Sequence, residues 1–113
     1  MQVLCHHVYE YQKGLRHLVL HTMKSSDRAL AVRKLERFGI EYHIVYVTES
    51  KINIFFGSRE CVDVVRTFGD VPLYELSHEQ DFILGIMLGY DRVAQCERFL
   101  KRSNTTLSAS IAG

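Results

Sequence analysis

Residues 42–56 read YHIVYVTESKINIFF, and this stretch decides the fold. It contains two runs rich in β-branched and aromatic residues, 42–48 and 51–56, with Glu49 and Ser50 between them. Runs of this composition have a high β-propensity, and a two-residue separation is typical of a hairpin loop. The stretch therefore predicts a β-hairpin, although Glu-Ser is not one of the preferred turn dipeptides.

A two-residue loop also predicts the register of the hairpin and the composition of its two faces. One strongly apolar face would hold three opposed pairs: Val47 with Ile52, Val45 with Ile54, and His43 with Phe56. The other face would be amphipathic and would carry Tyr42, Ile44, Tyr46, Asn53 and Phe55. Three aromatic residues of this second face form a candidate contact surface, unless the remaining helices cover it: Tyr42, Tyr46 and Phe55.

Five helical segments and one further strand surround the hairpin. Amphipathic spacing, Ser and Gly punctuation and a Ser-x-x-Gln capping box place the helices at residues 3–13, 25–38, 58–68, 81–88 and 91–102. The apolar segment 15–22 is interpreted as a strand. This order predicts an α+β fold with a three-stranded sheet, ferredoxin-like (β-α-β-β-α) without the last strand, and extra helices at both ends. We expect residues 1–102 to form one domain and residues 103–113 to be a mobile C-terminal tail.

The overall composition argues against several classes of protein. The chain has 113 residues, enough for one core, and its 14 Lys and Arg against 13 Asp and Glu give a formal net charge of +1. That balance gives no argument for binding nucleic acid or an anionic membrane, and no segment approaches the roughly 20 apolar residues of a membrane span. The three cysteines, Cys5, Cys61 and Cys96, are odd in number and far apart, which favours a reducing cytoplasm.

Residues 76–100 read LSHEQDFILGIMLGYDRVAQCERFL and are the most motif-like part of the chain. Three segments, DFILG at 81–85, LGYD at 88–91 and QCER at 95–98, resemble the signature of a small bacterial family catalogued as domain of unknown function 2023. The resemblance implies compact α+β proteins that pair as homodimers and whose genes often neighbour flavodoxin genes. It implies no activity, cofactor or catalytic residue.

Helix geometry can explain several residues of this stretch. Gly85 inside a helix costs about 1 kcal/mol relative to Ala, so we expect a neighbouring helix to pack against the missing side chain. Gly89 can end that helix, and Asp91 can cap the next one. A tightly packed helix–turn–helix therefore accounts for the motif, whereas exposed Tyr90 and Asp91 could instead form a contact surface. In the last helix we expect the apolar residues to face inward: Val93, Cys96, Phe99 and Leu100.

The sequence shows no constellation typical of a catalytic or metal site. Cys61 follows Arg59 in the first turn of a helix, where the dipole favours a thiolate, but it also belongs to an apolar stripe, and a core role is the preferred interpretation. His17 and His21 would lie about 13 Å apart along a strand, too far for one metal ion. We therefore predict no catalytic residue, no metal and no cofactor.

An anion site is predicted where two helices begin. We expect the first and third strands of the ferredoxin-like pattern to lie adjacent and parallel, so that the helices after them start at the same end of the sheet. Serines and cations at the two starts would form a phosphate cradle: Lys24, Ser25, Ser26, Arg28, Ser58 and Arg59. Ordinary N-capping is the alternative, because Asp27 and Glu60 already satisfy the two dipole ends.

The first strand is predicted to be an open edge of the sheet. Residues 15–22 are apolar and lack proline, and soluble proteins rarely leave such an edge bare. We expect this edge to pair with its own copy across a two-fold axis centred on Val19, with His17 opposite His21 of the other subunit. A covering helix, or dimerisation through the aromatic face or the last helices, is the alternative.

These features predict a non-enzymatic, homodimeric binding or accessory protein of the bacterial cytoplasm. The family resemblance implies a flavodoxin-type partner, and a patch of Arg and Lys would support that partner because flavodoxins are acidic. The alternative function is a small-molecule enzyme or sensor that binds an anionic, phosphate-bearing ligand.

Overall fold

A computed structural model describes the backbone of residues 1–112 and the side chains of residues 1–104. Over this range the chain forms five α-helices and three β-strands: α1 (Gln2–Gln12), β1 (Leu18–Lys24), α2 (Arg28–Arg37), β2 (Glu41–Thr48), β3 (Lys51–Gly57), α3 (Arg59–Thr67), α4 (His78–Met87) and α5 (Arg92–Ala112). Single-turn 3-10 helices, Ser25–Asp27 and Leu73–Glu75, precede α2 and α4. The predicted α+β class, with a small three-stranded sheet and five helices, is confirmed.

The strand order is β1-β3-β2, and β3 is antiparallel to both of its neighbours. The register of β1 against β3 runs from Leu18 opposite Gly57 to Lys24 opposite Lys51. The expectation that these two strands lie parallel is therefore wrong. In a split β-α-β unit the two strands joined by the helix, here β1 and β2, are parallel, and the inserted strand returns between them in the opposite direction.

The hairpin forms as predicted, but its register is shifted by one residue. Tyr46 lies opposite Ile52 and Thr48 lies opposite Lys51, so Val47 is an extra residue in a β-bulge. A shift of one residue moves every side chain of a strand to the other face of the sheet. As a result Ile44, rather than Val45, lies opposite Ile54.

Each face of the sheet carries its own hydrophobic core. The first core combines the sheet with α1 and α2 and contains Leu4, Val8, Val19, Ala31, Leu35, Ile40, Ile52, Ile54 and Phe56. The second core combines the sheet with α3 and α4 and contains Leu18, Phe55, Val62, Val65, Leu76, Leu84 and Leu88. Phe55, which is 3% exposed, thus lies on the opposite face from Tyr42 and Tyr46. The predicted contact surface formed by these three residues is therefore wrong, because the bulge reverses the faces of β2.

The order of the strands places β1 at an edge of the sheet, as predicted, and β2 at the other edge. The last helix extends to Ala112, well past its predicted end at Arg102. The predicted mobility of residues 103–113 falls largely outside the residues whose side chains are described. Within the described part of the chain, no helix is long and apolar enough to cross a membrane.

Candidate functional site

A cavity of about 280 Å³ lies between β1, the turn Leu73–Glu75, α4 and α5. Leucines form its apolar part: Leu20, Leu73, Leu76, Leu84 and Leu88. Charged and polar residues complete the lining together with one glycine: Asp81, Tyr90, Gln95, Arg98 and Gly85. An apolar cavity with a few convergent polar groups is the usual form of a small-molecule site.

The start of α4 is held by the predicted capping box, which fixes the position of Asp81. The backbone N–H of Gln80 donates to Ser77 Oγ at 3.1 Å, and the backbone N–H of Ser77 donates to Gln80 Oε1 at 3.0 Å. This reciprocal pair satisfies two N–H groups that the helix itself leaves unpaired. Asp81 follows in the first turn of α4, where the helix dipole also favours a carboxylate.

Asp81 accepts hydrogen bonds from two arginines of α5. Arg98 donates from Nε to Oδ2 at 2.9 Å and from Nη2 to Oδ1 at 3.3 Å, and Arg102 Nη1 lies 3.1 Å from Oδ2. The hydrogen bonds from Arg98 lower the pKa of the Asp81 carboxyl, and the same bonds raise the pKa of Arg98. Asp81 thus links the start of α4 to both arginines of α5.

Gly85 is the residue that lets α5 approach α4. A Cβ on Gly85 would overlap the carboxamide of Gln95, whose oxygen occupies that space. The expectation that a neighbouring helix packs against the missing side chain is therefore confirmed.

The turn between α4 and α5 also follows the sequence. Gly89 has a φ of 82°, and its N–H donates to the carbonyl of Ile86 at 3.1 Å, which ends α4 as predicted. Asp91 caps α5, since its Oδ2 accepts from the backbone N–H of Ala94 at 2.9 Å. Tyr90, between these two residues, is exposed and lines the cavity.

The match to a known family covers nearly the whole chain, including the residues that line this cavity. Residues 2–102 match the family model of DUF2023, which is described as a protein of unknown function. The chain belongs to the DUF2023 family. No curated protein matches the chain. In this DUF2023 protein, seven of the ten residues that line the cavity come from the three segments that carry the sequence resemblance: Asp81, Leu84, Gly85, Leu88, Tyr90, Gln95 and Arg98.

The structure does not bring the predicted phosphate cradle together. Ser25 Oγ donates to the carbonyl of Glu49 at 2.8 Å, so Ser25, with its neighbours Lys24, Ser26 and Arg28, lies at the hairpin turn. Ser58 and Arg59 lie at the other end of β3, where the Ser58 N–H donates to the carbonyl of His17 at 2.8 Å. A seven-residue strand, roughly 20 Å long, separates the two groups. The predicted cradle is therefore wrong, because β3 is antiparallel to β1.

The three residues of the predicted dimer edge have different surroundings. His17 precedes β1, Val19 is buried in the first core, and His21 faces α1, with its ring centroid 5.4 Å from that of His7. Burial lowers the pKa of His21, and the neighbouring His7 lowers it further. β1 lies at an edge of the sheet, and the side chains of Val19 and His21 pack on the face that α1 covers.

Sequence reasoning missed a surface on α2, which we call the basic face: Leu30, Arg33, Lys34, Arg37 and Phe38. Phe38, which directly follows α2, is 45% exposed, and Lys34 Nζ lies 5.1 Å from the centroid of its ring. Glu36, the only acidic residue of α2, is turned away and accepts from the Tyr42 hydroxyl at 2.9 Å. Among the described side chains, the three cations of the basic face form no ion pair with a carboxylate.

A second surface was predicted with the wrong orientation. We call it the outer stripe of α5: Val93, Cys96 and Leu100. These residues were expected to face inward, but Val93 is 64% exposed, Leu100 is 56% exposed, and Cys96 is also exposed. The reason is that α5 meets α4 through Gln95, through the arginines that bind Asp81, and through Phe99, whose ring contacts Phe82 at 5.4 Å between centroids.

Cys61 packs against the second core, as the preferred interpretation stated. Burial raises the pKa of its thiol, and the nearby Glu60 raises it further. A raised pKa keeps the thiol protonated at neutral pH, which is the opposite of what a nucleophilic cysteine needs.

Proposed function

We propose that this DUF2023 protein is a non-enzymatic accessory protein of the bacterial cytoplasm that docks an acidic, flavodoxin-type partner through the basic face of α2. The observation that carries this proposal is a concentration of charge. Three cations, Arg33, Lys34 and Arg37, lie on one side of a ten-residue helix in a chain whose formal net charge is only +1. Unpaired cations on one side of a protein steer an acidic partner and suppress wrong ones.

The basic face also offers apolar area at its centre. Leu30 is 49% exposed and lies beside Arg33 and Arg37 on the helix surface, and Phe38 continues the surface at the end of α2. Protein interfaces combine a desolvated apolar or aromatic centre with a polar rim. The basic face has both components within about three turns of one helix.

The docking proposal is tested by measuring the Kd for a purified flavodoxin at low and high salt. The double variant Arg33→Glu/Arg37→Glu should weaken binding at least about tenfold, because two attractive pairs become repulsive. The matched control is Arg59→Glu/Arg92→Glu, which changes the net charge equally on exposed residues outside the basic face. Equal weakening in both double variants, or no binding by the wild type at low salt, would exclude this surface.

We further propose that the protein is a homodimer that pairs through the outer stripe of α5. Val93 and Leu100 are seven residues apart, and Cys96 lies between them, so the three side chains share one side of the helix. Ile83 of α4 is another large apolar residue exposed on this helical hairpin. A second copy related by a two-fold axis would cover the same stripe on both chains.

The exposed Cys96 allows a direct test, because it lies in the middle of the outer stripe. In an antiparallel pair of α5 helices crossing near this residue, oxidation with copper phenanthroline should form a Cys96–Cys96 disulfide between subunits. Cys5→Ser should still cross-link, since the other exposed cysteine lies on α1, whereas Cys96→Ser should not. Leu100→Glu should give a monomer by solution mass, and the control Ala94→Glu, off the stripe, should remain a dimer.

Pairing through the edge of β1 is the rival arrangement, and the ladder shows how to test it. In an antiparallel ladder, pairs that exchange backbone hydrogen bonds alternate with pairs that do not. The His17 carbonyl accepts from the Ser58 N–H, so His17 belongs to a hydrogen-bonded pair and Thr22, five residues later, does not. The backbone N–H and C=O of Thr22 therefore point away from β3. Thr22→Pro should therefore abolish edge pairing but leave the β1–β3 ladder intact. Thr22→Val is its control, because it also removes the hydrogen bond from Thr22 Oγ1 to Asn53 Oδ1. A monomeric Thr22→Pro beside a dimeric Leu100→Glu would assign the interface to β1.

A further inference from the structure

We propose that the cavity between β1, α4 and α5 binds a small amphipathic carboxylate, with the carboxylate at Arg98 and an aliphatic tail against the leucines. This inference does not rest on the docking surface or on the dimer. It rests on the division of one cavity into an apolar part and a cationic part.

The apolar part suits a short hydrocarbon chain. Leu20 comes from β1, Leu84 from α4 and Leu88 from the residue that follows α4, and Leu73 and Leu76 come from the segment before α4. The cavity, at about 280 Å³, lies just below the ~300–1,000 Å³ of most small-molecule sites, which limits the ligand to a small one. Each methylene that leaves water for this lining contributes about 0.8 kcal/mol, so affinity should increase with tail length until the cavity is full.

In the cationic part of the cavity, Arg98 has hydrogen-bond donors that Asp81 does not use. A guanidinium group carries five N–H donors, and Arg98 directs only Nε and Nη2 to Asp81. Its side chain is more than half exposed and lines the cavity. A carboxylate is the planar acceptor that a guanidinium group binds most specifically.

The charge of Asp81 favours a monoanion over a phosphate dianion. Asp81 forms an ion pair with Arg98, so its negative charge lies beside any anion that approaches Arg98. A ligand with two negative charges would therefore meet more repulsion from Asp81 than a ligand with one. Gln95 and Tyr90, which also line the cavity, can each donate one further hydrogen bond.

Calorimetric titration of the full chain with hexanoate and octanoate tests the proposal. Binding should be measurable at millimolar ligand, stronger for octanoate, and absent for acetate, which lacks the tail, and for 1-hexanol, which lacks the charge. Arg98→Gln should weaken octanoate binding at least about tenfold, while Arg92→Gln, an exposed arginine of α5 outside this cavity, should not. No binding by the wild type, or equal binding of 1-hexanol and hexanoate, overturns the proposal.

A second pair of variants locates the tail without disturbing the ion pair. Leu73→Trp should fill the cavity and abolish binding, whereas Tyr74→Trp, at the neighbouring exposed position, should leave it unchanged. Both substitutions lie in a short turn, and circular dichroism of each variant checks that it is folded. Octanoate binding that survives Leu73→Trp and Arg98→Gln alike places the ligand elsewhere and overturns the site.

Discussion

The two faces of the sheet differ in how completely they are closed. On the first face, α1 and α2 bury Leu35, Ile54 and Phe56 completely. On the second face, α3 packs closely, but the residues contributed by α4 and the segment before it, Leu76, Leu84 and Leu88, keep a small exposed fraction and line a cavity. The first core is therefore completely enclosed at these residues, whereas the second core borders a cavity that has room for a small ligand.

The largest expected effect contrasts the two cores directly. Leu35→Ala in the first core should lower the free energy of unfolding by about 4–5 kcal/mol, because a fully enclosed side chain leaves a cavity that cannot collapse. Leu84→Ala, at the cavity wall of the second core, should cost about 2 kcal/mol, near the lower limit for such changes. Urea denaturation of both variants measures the difference. Equal losses would mean that the two cores are equally well packed.

The next effect concerns the ion cluster that holds α5 on the second face. The pKa of Asp81 lies below its ordinary value of 3.8, so its contribution is present above pH 3.8 and is lost as the pH falls through the lower, folded value. Asp81→Asn should therefore reduce stability at neutral pH by about 1 kcal/mol and should reduce the acid sensitivity below pH 3.8. Denaturation at pH 7 and pH 3 checks both statements. A variant with the acid sensitivity of the wild type would contradict them.

A smaller effect tests the contact between Gly85 and Gln95. Gly85→Ala alone should change stability by less than about 1 kcal/mol, because the gain in helix propensity is offset by the displaced carboxamide. In a Gln95→Ala background the same change should stabilise the protein by about 0.5–1 kcal/mol, since the overlap is gone. A double-mutant cycle by thermal denaturation measures this coupling, and strictly additive effects would show that the two side chains do not compete for one space.

The smallest effect belongs to the first face. The pKa of His21 is lowered from 6.5 by burial and by His7, so the unfolded chain binds more protons and stability is lost as the pH falls below 6.5. His21→Asn should remove this loss of stability at low pH. The loss is expected to be a few tenths of a kcal/mol, because the ring is only partly buried. Melting temperatures between pH 7.5 and pH 5 check it, with exposed His17→Asn as the control that should keep the loss.

Helix caps could be predicted from the sequence where a side chain or a glycine satisfies a backbone group close to it in the chain. The capping box of Ser77 and Gln80, the cap formed by Asp91, and the helix end at Gly89 all satisfy hydrogen bonds within about one turn of the chain. Ser25 shows the limit of this reasoning, because its hydroxyl donates to Glu49 in the hairpin turn rather than capping α2. The competing acceptor lies far away in the sequence, and only the folded chain brings it close.

The sequence by itself determined the α+β class, the hairpin, the open edge at β1 and the close approach at Gly85, since these depend on period, propensity and the absence of a side chain. Tertiary structure decided the register of the hairpin, because the bulge at Val47 is set by packing on both faces of the sheet and not by the turn alone. It also decided where the apolar and charged side chains of α2 and α5 point. Periodicity marks one stripe of a helix as apolar, but whether that stripe meets the core or solvent depends on which partner helix binds the other side.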